Sequence, residues 1–329
     1  MKKLALLATA LAMISGSAMA ADMAVKAVKA PPPAPFDPWD VAFGGGIMND
    51  YIFRGVTQSN HKPSVTAYFE PRYNVTKDLQ LYVGVSGESI SFANRAAAEI
   101  DVYGGIRPTF GAFAFDIGVW GYLYPGGTCQ FGAPFDTAGK PLGAECATNF
   151  LVNGNVMKKD VSFFEVYGKA TYTVNDNWAF TLNEYYTPSF LNSGAWGNYT
   201  SIIGKWTAPS TTFGSSGVGM YVSGEFGRQW LGTTDSFYGV PAFPNGIKYA
   251  DYNTWNVGIG FTYKVFTLDL RYSDTNLSKA NCNAFTSDYT ARFSSSFSPI
   301  NPTGVGSNWC GAAGIAKLSA DLTAMTNLK

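Results

Sequence analysis

The sequence predicts an all-β protein, a transmembrane antiparallel up-and-down β-barrel of about twelve strands with short turns at one end and long loops at the other. Three observations carry that expectation. Apolar and polar residues alternate with period two through most of the chain, as strands with a different solvent on each face require. The connections between these segments alternate in length, short then long. The N-terminus has the layout of an export signal, and no later stretch approaches the ~20 consecutive apolar residues of a membrane-spanning helix.

Residues 1–20, MKKLALLATALAMISGSAMA, set Lys2 and Lys3 before an apolar run that ends in Ala18-Met19-Ala20, the pattern of a secretory signal peptide cleaved after Ala20. Residues 21–39 are rich in Pro and Ala and are expected as an extended periplasmic linker, leaving residues 40–329 for the barrel. Aromatic residues reach 16% while charged ones are only 14%, against roughly 25% in soluble domains. The chain has 23 basic and 23 acidic residues, and loss of Lys2 and Lys3 with the signal leaves a small acidic excess. A nucleic-acid partner would call for a basic surface, so that class is excluded.

The strands are read in order. The first, about Val41 to Arg54, sets Val41, Phe43, Ile47, Tyr51 and Phe53 opposite Ala42, Gly44, Gly46, Met48, Asp50 and Arg54. In the second, Val65, Ala67, Phe69, Tyr73 and Val75 oppose Thr66, Tyr68, Glu70 and Arg72, and Pro71 predicts a bulge. Leu79 to Val85, Ile100 to Ile106 and Phe113 to Val119 supply the third, fourth and fifth, with Gln80, Tyr82, Glu99, Asp101, Arg107 and Asp116 on their polar faces. The sixth and seventh set Phe164, Val166, Trp178, Phe180 and Leu182 against Glu165, Lys169 and Asn183. In the eighth, Asn198–Trp206, Ile203 must share the polar face with Lys205. The ninth sets Val218, Met220 and Val222 against Tyr221, Ser223 and Glu225. The tenth and eleventh form the hairpin NVGIGFTYKVFTLDLRYSDTN, and the twelfth, Ile315–Ala324, sets Leu318 and Leu322 against Lys317 and Asp321.

Alternation alone does not say which face meets lipid. The charged face also carries Gly and small polar residues, whereas the apolar face is bounded by rings. Tyr73, Phe110, Phe113, Trp178, Trp206, Tyr263 and Phe266 cluster near the short turns, and Tyr51 and Phe53 approach a long loop. Rings at both margins of an apolar band are what a lipid interface favours. The apolar face is therefore assigned to lipid and the polar face to the lumen.

The segment NDYIFRGVTQSNHKPSVTAYFEPRYNV, with its Asp50-Tyr51-Ile52-Phe53-Arg54-Gly55 run, Gln58-Ser59 and Lys62-Pro63, resembles the opening of the TorF-type porin family of bacteria. DVYGGIRPTFG and LDLRYSDTNLS are similar to that family as well, and the resemblance runs from about Trp39 onward. It implies an outer-membrane barrel with a pore-like role, and brings no firm substrate and no catalytic residue. The chain departs from the common barrel ending by closing on AMTNLK rather than on an aromatic residue.

Charged residues on the polar face are candidates for a pore wall: Asp50, Arg54, Glu70, Arg72, Glu99, Asp101, Arg107, Asp116, Glu165, Lys169, Lys205, Glu225, Lys264, Asp269 and Arg271. Fixed charges in a narrow aqueous bore bias which ions enter, and a loop folded inward would narrow it further. Both signs occur in nearly equal number, so no ion preference follows. Cys129 with Cys146 and Cys282 with Cys310 are the preferred disulfide pairs by loop proximity, although four cysteines allow other connectivities. No metal spacing and no cofactor motif is present. The expected function is passive diffusion of small hydrophilic solutes or ions through the bacterial outer membrane, with lipid as surroundings and a homo-oligomer compatible. The alternatives are a non-conducting barrel that acts through its outer loops and, more remotely, a hydrolase using His61 with Ser59, Ser64 or Asp50.

Overall fold

The computed structural model describes residues 38–128, 156–240 and 242–328. The alternating segments form strands β1 Trp39–Met48, β2 Ser64–Thr76, β3 Leu79–Glu88 and β4 Glu99–Phe110. They continue as β5 Phe113–Leu123, β6 Phe163–Thr173, β7 Trp178–Thr187 and β8 Gly197–Thr207. The last four are β9 Val218–Leu231, β10 Tyr252–Tyr263, β11 Phe266–Thr275 and β12 Ala313–Thr323. Each strand pairs antiparallel with its sequence neighbours, and β1 pairs with β12, so the sheet closes into a twelve-stranded barrel. Closure removes the sheet edges, and every strand in a bilayer needs that, because no water there can satisfy free backbone groups.

The wall wears its apolar residues outside. Val83 is 61% exposed, Ile202 and Val257 53% and Leu182 54%, while their sequence neighbours point into the lumen. Rings edge this band at the turn end, where Trp39 meets Tyr73 at 4.8 Å and Phe113 meets Tyr172 at 4.8 Å. Tyr186, Trp196 and Tyr272 are exposed toward the loop end. Among the described residues no helix is long and apolar enough to span a bilayer. The membrane is crossed by strands.

Three details differ from expectation. The first strand stops at Met48, so Tyr51 and Phe53 do not join the lipid face; Tyr51 donates its hydroxyl to Glu99 at 2.7 Å inside the barrel mouth. Pro71 keeps the ladder in register opposite Val41, and the bulge falls instead between Asn74 and Thr76. The wall also begins at Trp39, inside the expected linker. The signal and nearly all of the linker lie outside the described residues. Strand β8 has Ile203 facing inward beside Lys205, as the period required. Beyond β12 the chain turns into the short helix Ala324–Asn327, tied to β1 by Met325 N–H donating to Asp40 at 3.0 Å.

The loop end has a core of its own. Val56, Phe92, Val161, Phe190, Ile247, Leu277, Phe285 and Trp309, drawn from each of the long connections, pack with the inward-facing Tyr122, Phe163, Leu231 and Tyr252 at the barrel mouth. Helix α1, Lys279–Thr286, delivers Phe285; Ser278 caps its start by accepting from Asn281 N–H at 3.2 Å. The expected disulfide between Cys282 and Cys310 ties α1 to the return of the same connection. Cys129 and Cys146 lie outside the described residues.

Candidate functional site

The lumen is organised by a hairpin that enters it from the β1–β2 connection. Ile52–Phe53 and Val56–Thr57 pair across a two-residue turn, and both turn residues, Arg54 (φ 48°) and Gly55 (φ 77°), have left-handed backbone. That is the turn whose twist matches a tight hairpin, and glycine takes it at least cost. A Cβ at Gly55 would lie 2.7 Å from Thr254 Oγ1, so the tip is pressed against β10. The turn carries the Arg54 guanidinium across the barrel, where its Nη1 and Nη2 donate to the Glu165 carboxylate at 2.8 and 2.7 Å. Arg54 also donates to Gln229 at 3.1 Å and stacks on Tyr185 and Tyr199. Both charged side chains are almost fully buried, so the bidentate pairing is what makes the charge tolerable there.

Toward the turn end, on the β2–β5 side, charge is saturated. Glu70 accepts from Arg72 at 2.6 Å and from Arg107 at 2.8 Å; Arg107 also reaches Asp116 at 3.3 Å and lies 3.6 Å from the Tyr82 ring centroid. The Tyr82 hydroxyl donates to Asp116 and is in close contact with the Tyr167 hydroxyl. This network fills its side of the bore.

The remaining lumen holds a cavity of about 430 Å³. It runs from Asp50 and Arg54 near the loop end to Lys205, Thr267 and Asp321 near the turn end. Its wall carries both signs. Asp269 forms a two-pronged pair with Arg271 at 3.0 and 3.1 Å and accepts from Tyr221 at 2.6 Å. Glu225 accepts from Tyr199 and Asn256. Lys169 sits 5.0 Å from the Tyr167 ring, and Lys205, only 4% exposed, lies 4.5 Å from the Tyr221 ring with no hydrogen-bond partner at its Nζ. Near the loop end Glu88, Glu99 and Asp101 bring carboxylate oxygens within 4.8 Å of one another, the one grouping among the described residues spaced to hold a cation. Hydroxyls of Tyr51 and Tyr124 donate to Glu99, Thr66 to Glu88 and Ser86 to Asp101.

Most of the charged residues singled out from the sequence therefore meet inside the barrel. Lys264 does not. It occupies the β10–β11 turn with φ 53°, exposed, its Nζ 5.5 Å from the Tyr263 ring. The strict alternation places it inward, but a hairpin that tight needs a residue in left-handed backbone at that point, and the turn takes it out of the wall. Asp50 and Arg54 reach the lumen from a connection, not from a strand. Glu88, Lys317 and Asp321 line the cavity as well and are not among the pore-wall candidates, although Lys317 and Asp321 are read on the polar face of the twelfth strand. The inward series of β3 and β12 could have supplied all three.

His61 has both ring nitrogens engaged, Nδ1 with Asp50 at 2.7 Å and Nε2 donating to the Asn308 carbonyl at 2.9 Å. Its hydrogen bond to Asp50 raises the imidazole above its ordinary value of 6.5, against the opposing effect of burial. Burial alone would raise the Asp50 carboxyl, but hydrogen bonds from His61, Thr57 and Ser59 outweigh it and hold the group below 3.8. Ser59 donates to Asp50 and to the Lys62 carbonyl, and Ser64 to the Ser89 carbonyl. No ring nitrogen is left to take a proton from either serine. The arrangement is a latch between the first and last long connections.

A family model described as a bacterial protein of unknown function (Gcw_chp) matches residues 33–157. No curated protein matches the chain. Among solved structures, the chain is similar to the COG4313 outer membrane channel from Pseudomonas putida F1 at 11% identity and TM-score 0.43, covering 90% of this chain and 100% of that one. LpxR from Salmonella typhimurium is similar at 8% identity and TM-score 0.39, over 85% and 99%. The NanC porin is similar at 8% identity and TM-score 0.37, over 86% and 100%.

Proposed function

We propose that the protein is a narrow outer-membrane channel for small hydrophilic solutes, closed at its loop end in this conformation by the Arg54 hairpin and the apolar cap. One observation carries the reading: a cavity of about 430 Å³, faced by charged side chains of both signs, extends along the bore from Arg54 to Asp321. A barrel needed only as a scaffold would gain more from filling that space with packed side chains than from leaving charges facing it. The apolar exterior and the export-signal layout support the outer membrane as its place. Charges of both signs along the wall favour weak discrimination between ions, and the cavity admits single small solutes.

A second reading, a non-conducting barrel that acts through its loops, is favoured by the cap core and by the buried Arg54–Glu165 pair across the bore. Planar-bilayer recording decides between them. The channel reading expects small, infrequent conductance steps from the wild type and more frequent or larger ones from Glu165→Gln, which releases the hairpin. Silence from both proteins, each folded by heat-modifiable migration, would establish the scaffold instead.

A further inference from the structure

Lys205 is the anomaly of the lumen. Its side chain is 4% exposed, its Nζ has no hydrogen-bond partner, and among the described residues no carboxylate lies within ion-pairing distance of it. The neighbouring acid, Asp269, is already spent: Arg271 holds both of its oxygens and the Tyr221 hydroxyl donates to one of them. Arg271 is committed in turn, donating also to Asn256 and Ser223. Tyr221 offers Nζ only its ring face, and that ring is held in place across β10, where a Cβ at Gly260 would overlap it. A buried ammonium without a counter-charge is costly, and the ring repays part of that cost. The wall is thus built to hold Lys205 still without neutralising it.

Lys205 lines the cavity near the turn end, together with Ser223 and Tyr221. Asn183, two inward positions nearer the loop end on the adjoining strand, lines it too, and its Oδ1 is buried with no donor. From these groups we propose that Lys205 is the anchor of a solute subsite, and that the solute is a small hydroxylated monocarboxylate. The ammonium supplies a desolvated cation with no hydrogen-bond partner, and a carboxylate would complete it with a short charge-assisted hydrogen bond. Glu225 on the adjoining β9 and Asp269 on β11, both lining the same cavity, disfavour anions of higher charge. Ser, Tyr and Asn side chains facing the same space suit hydroxyl groups better than an alkyl chain. The subsite deepens the channel reading and rests on it for its purpose, but binding itself does not require conduction.

The test uses the full-length barrel purified in detergent, titrated calorimetrically with sodium gluconate, and with sorbitol as the uncharged counterpart. Saturable gluconate binding is expected, with sorbitol at least tenfold weaker. Lys205→Met should weaken gluconate at least tenfold and leave sorbitol unchanged, while Lys205→Arg should retain most of the affinity. Lys205→Met should also melt no lower than the wild type, because it removes an unpaired buried charge; a clear loss of stability would make Lys205 a structural group and overturn the subsite. Gluconate binding that is absent, equal in Lys205→Met, or matched by sorbitol would overturn it as well. Binding without bilayer conductance would sustain the subsite and sink the channel, and conductance without binding would do the reverse.

Discussion

Phe163 and Phe164 are neighbours in β6 and live in different solvents. Phe163 is 8% exposed, stacked on Tyr122 in the cap core; Phe164 is 49% exposed on the outer wall. The cap and the wall differ in the same way throughout. In the cap, apolar side chains converge inward and exclude water, like the core of a soluble domain. In the wall they point outward to a medium as apolar as themselves, and the interior is left to tyrosines, glycines and charges. The contrast teaches that an apolar residue in this chain reports its partner solvent only once its element is known. It also predicts that the two regions fail separately.

The largest effect is expected from Phe285→Ala, which empties the centre of the cap where the ring meets Tyr249 at 5.3 Å and Phe190 at 5.6 Å. Loss of a buried phenylalanine costs about 3–5 kcal/mol. Limited proteolysis should then cut within residues 277–312 while the barrel keeps its heat-modifiable migration. If the barrel unfolds with the cap, the two regions are one cooperative unit and the contrast fails. Next comes Ile259→Arg, on the outer face between Val222 and Leu270. A cation there costs about 2–4 kcal/mol near mid-membrane, so assembly into vesicles should drop sharply; normal yield of folded, heat-modifiable protein would contradict the lipid assignment.

The smallest effect concerns the pair of His61 and Asp50 within the first connection, since the histidine side chain is 42% exposed and solvent weakens the pair. Its imidazole is raised in the folded protein, so that contribution is complete below 6.5 and fades as pH climbs through the raised value. The Asp50 carboxyl is lowered, so its contribution is present above 3.8 and is lost as pH falls through the lowered value. Protease resistance of the first connection should therefore peak between those limits and decline on both sides. Asp50→Asn should flatten the alkaline decline and return the His61 titration, followed by NMR, toward its ordinary value.

Much of this was legible in the chain before any coordinates. The outward series Val257, Ile259 and Phe261 and the inward series Asp269, Arg271 and Ser273 follow from period two alone, because a strand offers each residue only two directions. The Cys282–Cys310 bond was legible because both residues sit in one connection. Lys264 was misread where the period ends, at a turn whose backbone sign the pattern does not record. Tyr51 and Phe53 were misread because the alternation in NDYIFRG continues through a hairpin that has left the wall.

By itself the sequence determined the twelve-strand wall and which of its faces meets lipid, since both depend on neighbours a few residues apart. Tertiary structure alone decided that Arg54 finds Glu165, at a separation of 111 residues, that each long connection gives a side chain to one cap, and that Lys205 is left without a partner beside a carboxylate already claimed. Those outcomes depend on which inward residues share a level of the closed barrel. That is set by register and closure summed around the whole sheet, and no local stretch of sequence contains it.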